Sequence, residues 1–552
     1  MMTAQRIEKI LLIITIAFCI VGVGLRLYRI NQSDFVFYDE GYYLNYNNYF
    51  YDLLEQNFPD NLPDLFKTVS LWGRFSLGCG KALWFLLSDM RVFWGGYRDW
   101  YFPRILSCLA GIGTIALIYL FALRFFQSKR VACVASILLA ILPSHVFYSR
   151  LAFQEALCTL FFLLGFYFYL FPRQFSRRTF ISATFFAGAY FTNYRLIILP
   201  VLIVFCEVFL VLVEKKTFHL RKIVWHLVTW FSFVFIIGGL DKGQNTVVTF
   251  AWMFYQSSLA KKQFDIINFF SYPYYLFRLE SIIFGILFWA NVIYAFRRKF
   301  IWMLPFCLAC MHMFLFSFAA EKGARYMCVV LPFAVMGVAS LIVYLYENGR
   351  TRFQKTFIVL LTLCLVLSLI PKSLTITCSR SGYRAAIEKL SAMDKDFKSI
   401  ATQNFIMNLY VPNRDQVVAF PNRFRRFLQY YQQGYRFLIV DTQAFVSYTQ
   451  DRTRFSTKLH SYLGFIDEHV KPVMVIDNFN KTLLERFVFD HNEHLLRSIS
   501  FLKENDGLYG EIRIYDIKQC LYVMDKMIGL KEIISKLNPD YKTTRQTDAY
   551  GR

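Results

Sequence analysis

The sequence predicts a polytopic α-helical membrane protein with a small α/β domain after its last span. Three observations point there. Hydrophobic residues fill 56% of the 552 positions and charged ones only 18%. The apolar residues fall in long runs, and about 20 of them suffice to cross a bilayer core of roughly 30 Å. Beyond residue 371 the runs shorten to strand length and alternate with stretches of helical length, as an α/β layer does.

About eleven spans are expected, over approximately 10–28, 104–122, 130–148, 151–170, 179–193, 194–213, 223–240, 277–295, 301–319, 325–345 and 355–371. The amino terminus is weakly basic and precedes a run without a small-residue cleavage site, so the first helix is read as retained. With that terminus in the cytoplasm, the inner connections are "RFFQSKR", "PRQFSRR", "EKKTFHLRK", "FRRK" and "ENGRTRFQK". All are short and basic, as the positive-inside bias requires. Segments 29–103, 241–276 and everything after Ile370 then face outward. The chain is read as an integral plasma (inner) membrane protein with its carboxy-terminal domain extracytoplasmic.

This topology also explains the formal charge of +23. Much of it lies in turns that meet an anionic leaflet, so no nucleic-acid partner is implied. A further basic stretch, "NRFRRF", leaves three readings open: a membrane contact, an acidic glycan contact or a solvated face. The twelve cysteines show no CxxC or Cys/His spacing for zinc. Cys378 and Cys520 share the outward tail and are the candidates for one disulfide.

The domain boundaries follow. Residues 1–371 form the membrane domain with its first outer loop at 29–103, 372–535 the soluble α/β domain, and 536–552 a polar tail expected to be disordered. In the soluble part, "SGYRAAIEKLSAM" reads as an amphipathic helix. "QVVAF", "RFLIVDT", "KPVMVIDNF" and "GEIRIYDI" read as strands of a mainly parallel sheet. It has no GxGxxG, P-loop or nucleophile elbow. Asp441 and Asp477 end strands, where turn and cap roles outweigh catalysis.

The unusual polar residues collect at the outer ends of the spans rather than deep inside them. "SDFVFYDEGYY" brings Asp34, Asp39 and Glu40 soon after the first span, and its flanking Phe37, Tyr38, Tyr42 and Tyr43 read as an interfacial anchor. Lys81 follows in the same outer segment. Arg104, Arg150 with Glu155, Asn193–Arg195, and Glu321, Lys322 and Arg325 come from other outer connections. Cations at one leaflet level suit a lipid phosphate, and a carboxylate suits proton removal from a nucleophile. For any one cation alone, snorkelling to headgroups is the simpler reading.

In their order, these features resemble polytopic glycosyltransferases with a GT-C fold that take sugar from a polyprenyl-phosphate carrier. The nearest groups are protein O-mannosyltransferase-like enzymes and the aminoarabinose transferase that modifies lipid A. The "DE" of "FVFYDEGYY" resembles the family's acidic pair, which implies Asp39 as catalytic base with Glu40 in support. "GCGKALW", "FPRILSCLAG", "YSRLAFQEAL" and "EKGARYMCVVLP" resemble its later motifs. They imply Lys81, Arg104, Arg150, Glu155, Lys322, Arg325 and Tyr326 as carrier-phosphate or substrate contacts. Two departures stand out: Ala82 and Leu83 replace a Pro-Pro, and Thr192-Asn193 replaces a Thr-Lys, with Arg195 as the substitute cation.

The resemblance implies an inverting transfer at the extracytoplasmic face, using a polyprenyl-phosphate-linked sugar, undecaprenyl phosphate in a bacterial host. The acceptor is a lipid, protein or glycan. One base suffices because the leaving group is already a phosphate, unlike the paired carboxylates of glycoside hydrolysis. No metal-ligand spacing calls for a cofactor, and a divalent cation beside Asp39 and Glu40 stays open. The competing readings are a lipid-linked glycan transporter or flippase, and a non-catalytic scaffold for glycan assembly.

Overall fold

The computed structural model of the chain describes residues 4–31, 40–41, 43–45, 81–90, 100–171, 175–214, 220–240, 269–297, 299–319, 323–421, 424–442, 463–478 and 510–523. They fall into two compact units. The larger extends to Ser379 and the smaller begins at Arg380; Glu40 and Gly41 group with the smaller, Tyr43 with the larger.

In the larger unit, helices occupy every predicted span. They are α1 Ala4–Leu27, α3 Tyr101–Phe126, α4 Lys129–Ala140, α5 Pro143–Arg150, α6 Glu155–Leu170, α7 Phe175–Thr192, α8 Leu199–Glu214, α9 Leu220–Leu240, α10 Ile282–Ile293, α11 Leu304–Ser317, α12 Leu331–Asn348 and α13 Arg352–Cys378. The short α2, Ala82–Asp89, lies in the first outer segment. By length and apolarity, six of the described helices can cross a membrane, or seven if the bent pair α4–α5 is one span. Helices α6 and α10 are apolar but shorter. Exposed apolar side chains such as Ile13, Ile20, Leu212 and Ile293 suit a lipid surround.

Helix α12 is buried continuously from Leu331 to Val343. Its Phe333 ring packs on Phe121 of α3 at 5.9 Å and on Phe166 of α6 at 5.4 Å. In lipid, where burial from water drives little helix association, such close packing holds the helices together.

The predicted third span, 130–148, is broken: α4 and α5 meet at 56°. Pro143 supplies no N–H, so the carbonyl four residues earlier loses its helical donor. Arg26 takes over. Its Nη1 donates to Ala140 O at 2.8 Å and its Nη2 to Leu139 O at 3.3 Å. Its Nη2 also lies 2.6 Å from His145 Nδ1. The approach requires glycine at position 22, where a Cβ would fall 2.8 Å from that of Ala140. The spans are also less free of charge than the sequence reading holds. Glu207 is buried in α8 and accepts from Tyr169 Oη at 2.5 Å.

The smaller unit contains α14 Tyr383–Met393, α15 Asn404–Met407 and α16 Phe424–Gln432. Its five-stranded sheet has the order β2-β1-β3-β5-β4. The strands are β1 Ser399–Ala401, β2 Val417–Ala419, β3 Phe437–Asp441, β4 Met474–Asp477 and β5 Glu511–Asp516. The four strands read from sequence are present, and β1, only three residues long, is an addition. Strand β1 pairs parallel with β2 and β3, whereas β5 runs antiparallel between β3 and β4. Leu438, Val440, Phe427, Ile466 and Tyr515 form the core. Cys520 is buried there and Cys378 is exposed, and both are free thiols rather than the expected disulfide. Asp441 is a buried structural acceptor: Tyr383 Oη donates to Oδ2, and Asn478 Nδ2 to Oδ1 at 3.5 Å.

Candidate functional site

Two groups of polar residues occupy the larger unit. The first secures the exit of α1. Arg150 Nη1 donates to Leu25 O at 2.7 Å and to Arg26 O at 3.0 Å, and its Nη2 to Tyr28 O at 3.1 Å and Thr377 O at 3.3 Å. Arg104 Nη1 donates to Ile30 O at 3.1 Å. The last carbonyls of a helix lack intrahelical donors and carry its negative dipole end, so guanidinium groups fit them. Both arginines are buried. Arg150 makes no ion pair with Glu155 despite their spacing of five.

The second group brings together Lys81, Glu155, Arg195, Arg325 and Tyr326. Lys81 precedes the first turn of α2 and donates to Tyr43 Oη, with Nζ 3.9 Å from the Tyr43 ring centroid. Tyr43 in turn packs edge-on against Phe85 at 5.8 Å and against Phe153 at 5.5 Å. Tyr43 is thus buried beneath a cation, which corrects its reading as an interfacial anchor.

Arg195 reaches the group through a 3₁₀ turn, Tyr194–Ile198, inserted between α7 and α8. Asn193 caps that turn, its Oδ1 accepting from Arg195 N at 3.2 Å. The turn aims the guanidinium at Tyr326, 4.3 Å from the ring centroid, and Arg325 lies 5.6 Å from the same ring. Each cation gains from the quadrupole of the ring it approaches. Tyr326 belongs to a second 3₁₀ turn, Ala324–Val330, and its carbonyl accepts from His312 Nε2 at 2.8 Å.

Glu155 opens α6 and is almost fully buried. Arg325, Lys81 and Arg195 all act electrostatically on its carboxylate. Its Oε1 accepts from Gln154 Nε2 at 2.9 Å, while Oε2 has no hydrogen-bond donor among the described residues. A buried carboxylate tolerates low dielectric only with compensating charge, and these three cations supply part of it.

Glu40 is fully buried in the smaller unit, where Gly41 leaves no room for a side chain: a Cβ would sit 2.7 Å from Ile406 Cγ1. Asp34, Asp39, Glu321 and Lys322 lie outside the described residues, as do Phe37, Tyr38, Tyr42, part of the "NRFRRF" stretch and residues 536–552. Among the described residues no group of His, Cys, Asp and Glu could hold a metal ion. Sequence reasoning missed Tyr43's place under Lys81, together with Gln154, His312 and Arg26. Gln154 had one visible signal, an amide directly before the only acid of a long apolar helix.

Residues 16–240 match the family described as dolichyl-phosphate-mannose-protein mannosyltransferase. No curated protein matches the chain. Among solved structures, the chain is similar to ArnT from Cupriavidus metallidurans in the apo state, with a TM-score of 0.52 and 13% identity over 92% of this chain and 98% of that one. It is also similar to the Archaeoglobus fulgidus oligosaccharyltransferase in complex with Zn and sulfate, with a TM-score of 0.50 and 12% identity over 78% of this chain and 68% of the other. These likenesses establish the architecture: an integral membrane protein with the GT-C fold.

Proposed function

We propose that this GT-C membrane protein is a glycosyltransferase that moves a sugar from a polyprenyl-phosphate carrier to an acceptor at the extracytoplasmic face. The observation that carries this reading is the convergence of Lys81, Arg195 and Arg325 on Glu155, from three separate connections at the outer ends of the spans. A phosphate held by guanidinium and ammonium groups becomes a better leaving group, because those cations take up the charge that develops on it.

Asp39 is assigned as the base that deprotonates the acceptor hydroxyl or amine as it attacks the anomeric carbon. Glu40 supports it. The transfer is a single displacement with inversion, and Lys322 joins Arg325 and Tyr326 at the carrier phosphate. Arg104 and Arg150 act through α1, holding the carbonyls from which the first outer segment departs.

Asp39→Asn keeps the size of the side chain and removes its basicity. The purified variant is expected to bind carrier lipid as the parent does and to lose transfer by at least about 100-fold, the lower end of general-base contributions. Transfer at the parent rate would show the base to be misassigned. Carrier translocation without any glycosidic bond would favour the flippase reading.

A further inference from the structure

Polar residues outside the cation cluster also gather in the smaller unit. Strands β1, β2, β3 and β4 run in one direction and end at one edge of the sheet, with β5 opposed. From that edge the chain leaves β1 towards β2 and leaves β3 towards β4, which lie on opposite sides. The ends of β1 and β3 therefore make a topological switch point, where open α/β sheets bind ligands.

Several side chains there are satisfied by the fold. Thr402 Oγ1 accepts from Asp441 N at 3.0 Å, and Thr442 Oγ1 donates to Glu511 O at 2.9 Å. Asn478 Nδ2 donates to Asp441 Oδ1. Gln403 differs. It directly follows Thr402 and is only 8% exposed, yet its buried Oε1 has no hydrogen-bond partner among the described residues. Asn408 Oδ1, just past the other end of α15, is buried and unpartnered in the same way. A carboxamide whose orientation no partner fixes offers either a donor or an acceptor. Two such groups on one short connection cost the fold stability, because each forfeits hydration without return. The same connection carries Phe405 and Tyr410, both half-buried. It also includes Ile406, on which Gly41 packs.

We propose that this switch point, with Gln403 and Asn408 as its polar contacts, binds a saccharide, and that this saccharide is the acceptor of the transfer. The proposal rests on the glycosyltransferase reading above and narrows its acceptor class. A carboxamide carries no charge, so it does not select a phosphate or a carboxylate. A hydroxyl, which donates and accepts at one atom, matches it in either orientation. Aromatic rings with a few placed polar groups are the usual lining of a compact ligand site. A peptide would instead add along an outer strand, β2 or β4, rather than meet strand ends. Glu40, the sequence neighbour of the assigned base, belongs to this same unit. The unit that binds the acceptor thus also carries part of the acidic pair.

The test uses the full chain in lipid nanodiscs and the variant Gln403→Leu, which keeps most of the bulk and removes the amide. Because an unpaired buried polar group costs stability, the variant is expected to melt at or above the parent temperature. The parent should bind at least one of a panel of neutral oligosaccharides built from glucose, galactose, mannose or N-acetylglucosamine. Gln403→Leu should bind that oligosaccharide at least about tenfold more weakly, with affinity for polyprenyl phosphate kept within about twofold. A lower melting temperature for Gln403→Leu would show that the amide serves the fold, and would overturn the assignment. So would unchanged oligosaccharide affinity in the variant, or equal weakening of oligosaccharide and polyprenyl phosphate. Binding of no panel member by the parent would leave water as the partner of the amides and would also overturn it, as would preference for a peptide containing serine and threonine. A parent chain that binds an oligosaccharide but not polyprenyl phosphate would contradict the glycosyltransferase reading and leave the saccharide site standing.

Discussion

The guanidinium of Arg195 lies 4.3 Å from the centre of the Tyr326 ring, although 130 residues separate the two in sequence. One consequence concerns the sequence departure at Thr192-Asn193. The 3₁₀ turn of Tyr194–Ile198 brings the Arg195 cation to Glu155 and Tyr326. A planar guanidinium stacks where an ammonium does not, so arginine and lysine are not equivalent here. Arg195→Lys is expected to weaken polyprenyl-phosphate binding about fivefold and Arg195→Ala more than about tenfold, with Tyr326→Leu close to the lysine variant. Equal affinity of Arg195→Lys and parent in a nanodisc binding assay would show that stacking does not matter.

The bent span makes a second demand. Replacing Arg26 by Met removes the donor to Ala140 O, while Leu139 O keeps the backbone N–H groups of Ile141 and Leu142. A carbonyl left without a donor costs about 1–3 kcal/mol. The Arg26→Met chain in detergent should melt several degrees below the parent and be cleaved faster by protease. An unchanged melting temperature would mean that the break at Pro143 needs no side-chain donor.

The span pattern was legible because continuous apolar runs and basic inner turns are long-range signals that survive local irregularity. Breaks within spans were less legible. Pro143 marks the bend in α4–α5, yet the residue that stabilises it, Arg26, stands over 100 positions away. The cation cluster was visible as separate residues at outer ends, while its geometry was not. Nothing local shows that Lys81 rests on Tyr43. Arg104 and Arg150 look like phosphate ligands from sequence, and only the fold reveals the carbonyls that they meet at the end of α1 and just beyond it. Strand β1 escaped notice because three residues give no period to read. The direction of β5 was hidden because pairing sense is not encoded in a single strand.

A third expectation concerns alkaline pH and the α/β domain. Burial, with Asp441 beside it, holds the Tyr383 hydroxyl well above the usual phenol range. Tyr383 therefore stabilises the fold fully below the unfolded-state value of about 10. Above it the unfolded chain ionises first, and the contribution is lost as pH rises towards the folded value. Thermal melts between pH 8 and pH 11 (about one unit beyond the free phenol value) should decline more steeply for the parent than for Tyr383→Phe. Parallel curves would exclude the link.

Orientation can be read from a single thiol. Cys378 is exposed at the end of α13, whereas Cys520 is buried and its thiol is pushed up to about 12 by burial. A chain retaining Cys378 alone should react with a membrane-impermeant maleimide in intact cells, and one retaining Cys520 alone should react only after unfolding. Labelling of Cys378 that requires permeabilised membranes would reverse the assigned topology.

The central claim, sugar transfer from a lipid phosphate, is tested most directly by mass spectrometry of lipid-linked sugars and envelope glycans from cells with and without the gene. Loss of the gene is expected to make one polyprenyl-phosphate sugar accumulate, while one acceptor appears lacking that residue. Restoring the parent chain should reverse both changes, and restoring Asp39→Asn should reverse neither. Unchanged lipid-linked sugars and unchanged glycans after gene loss would contradict the account.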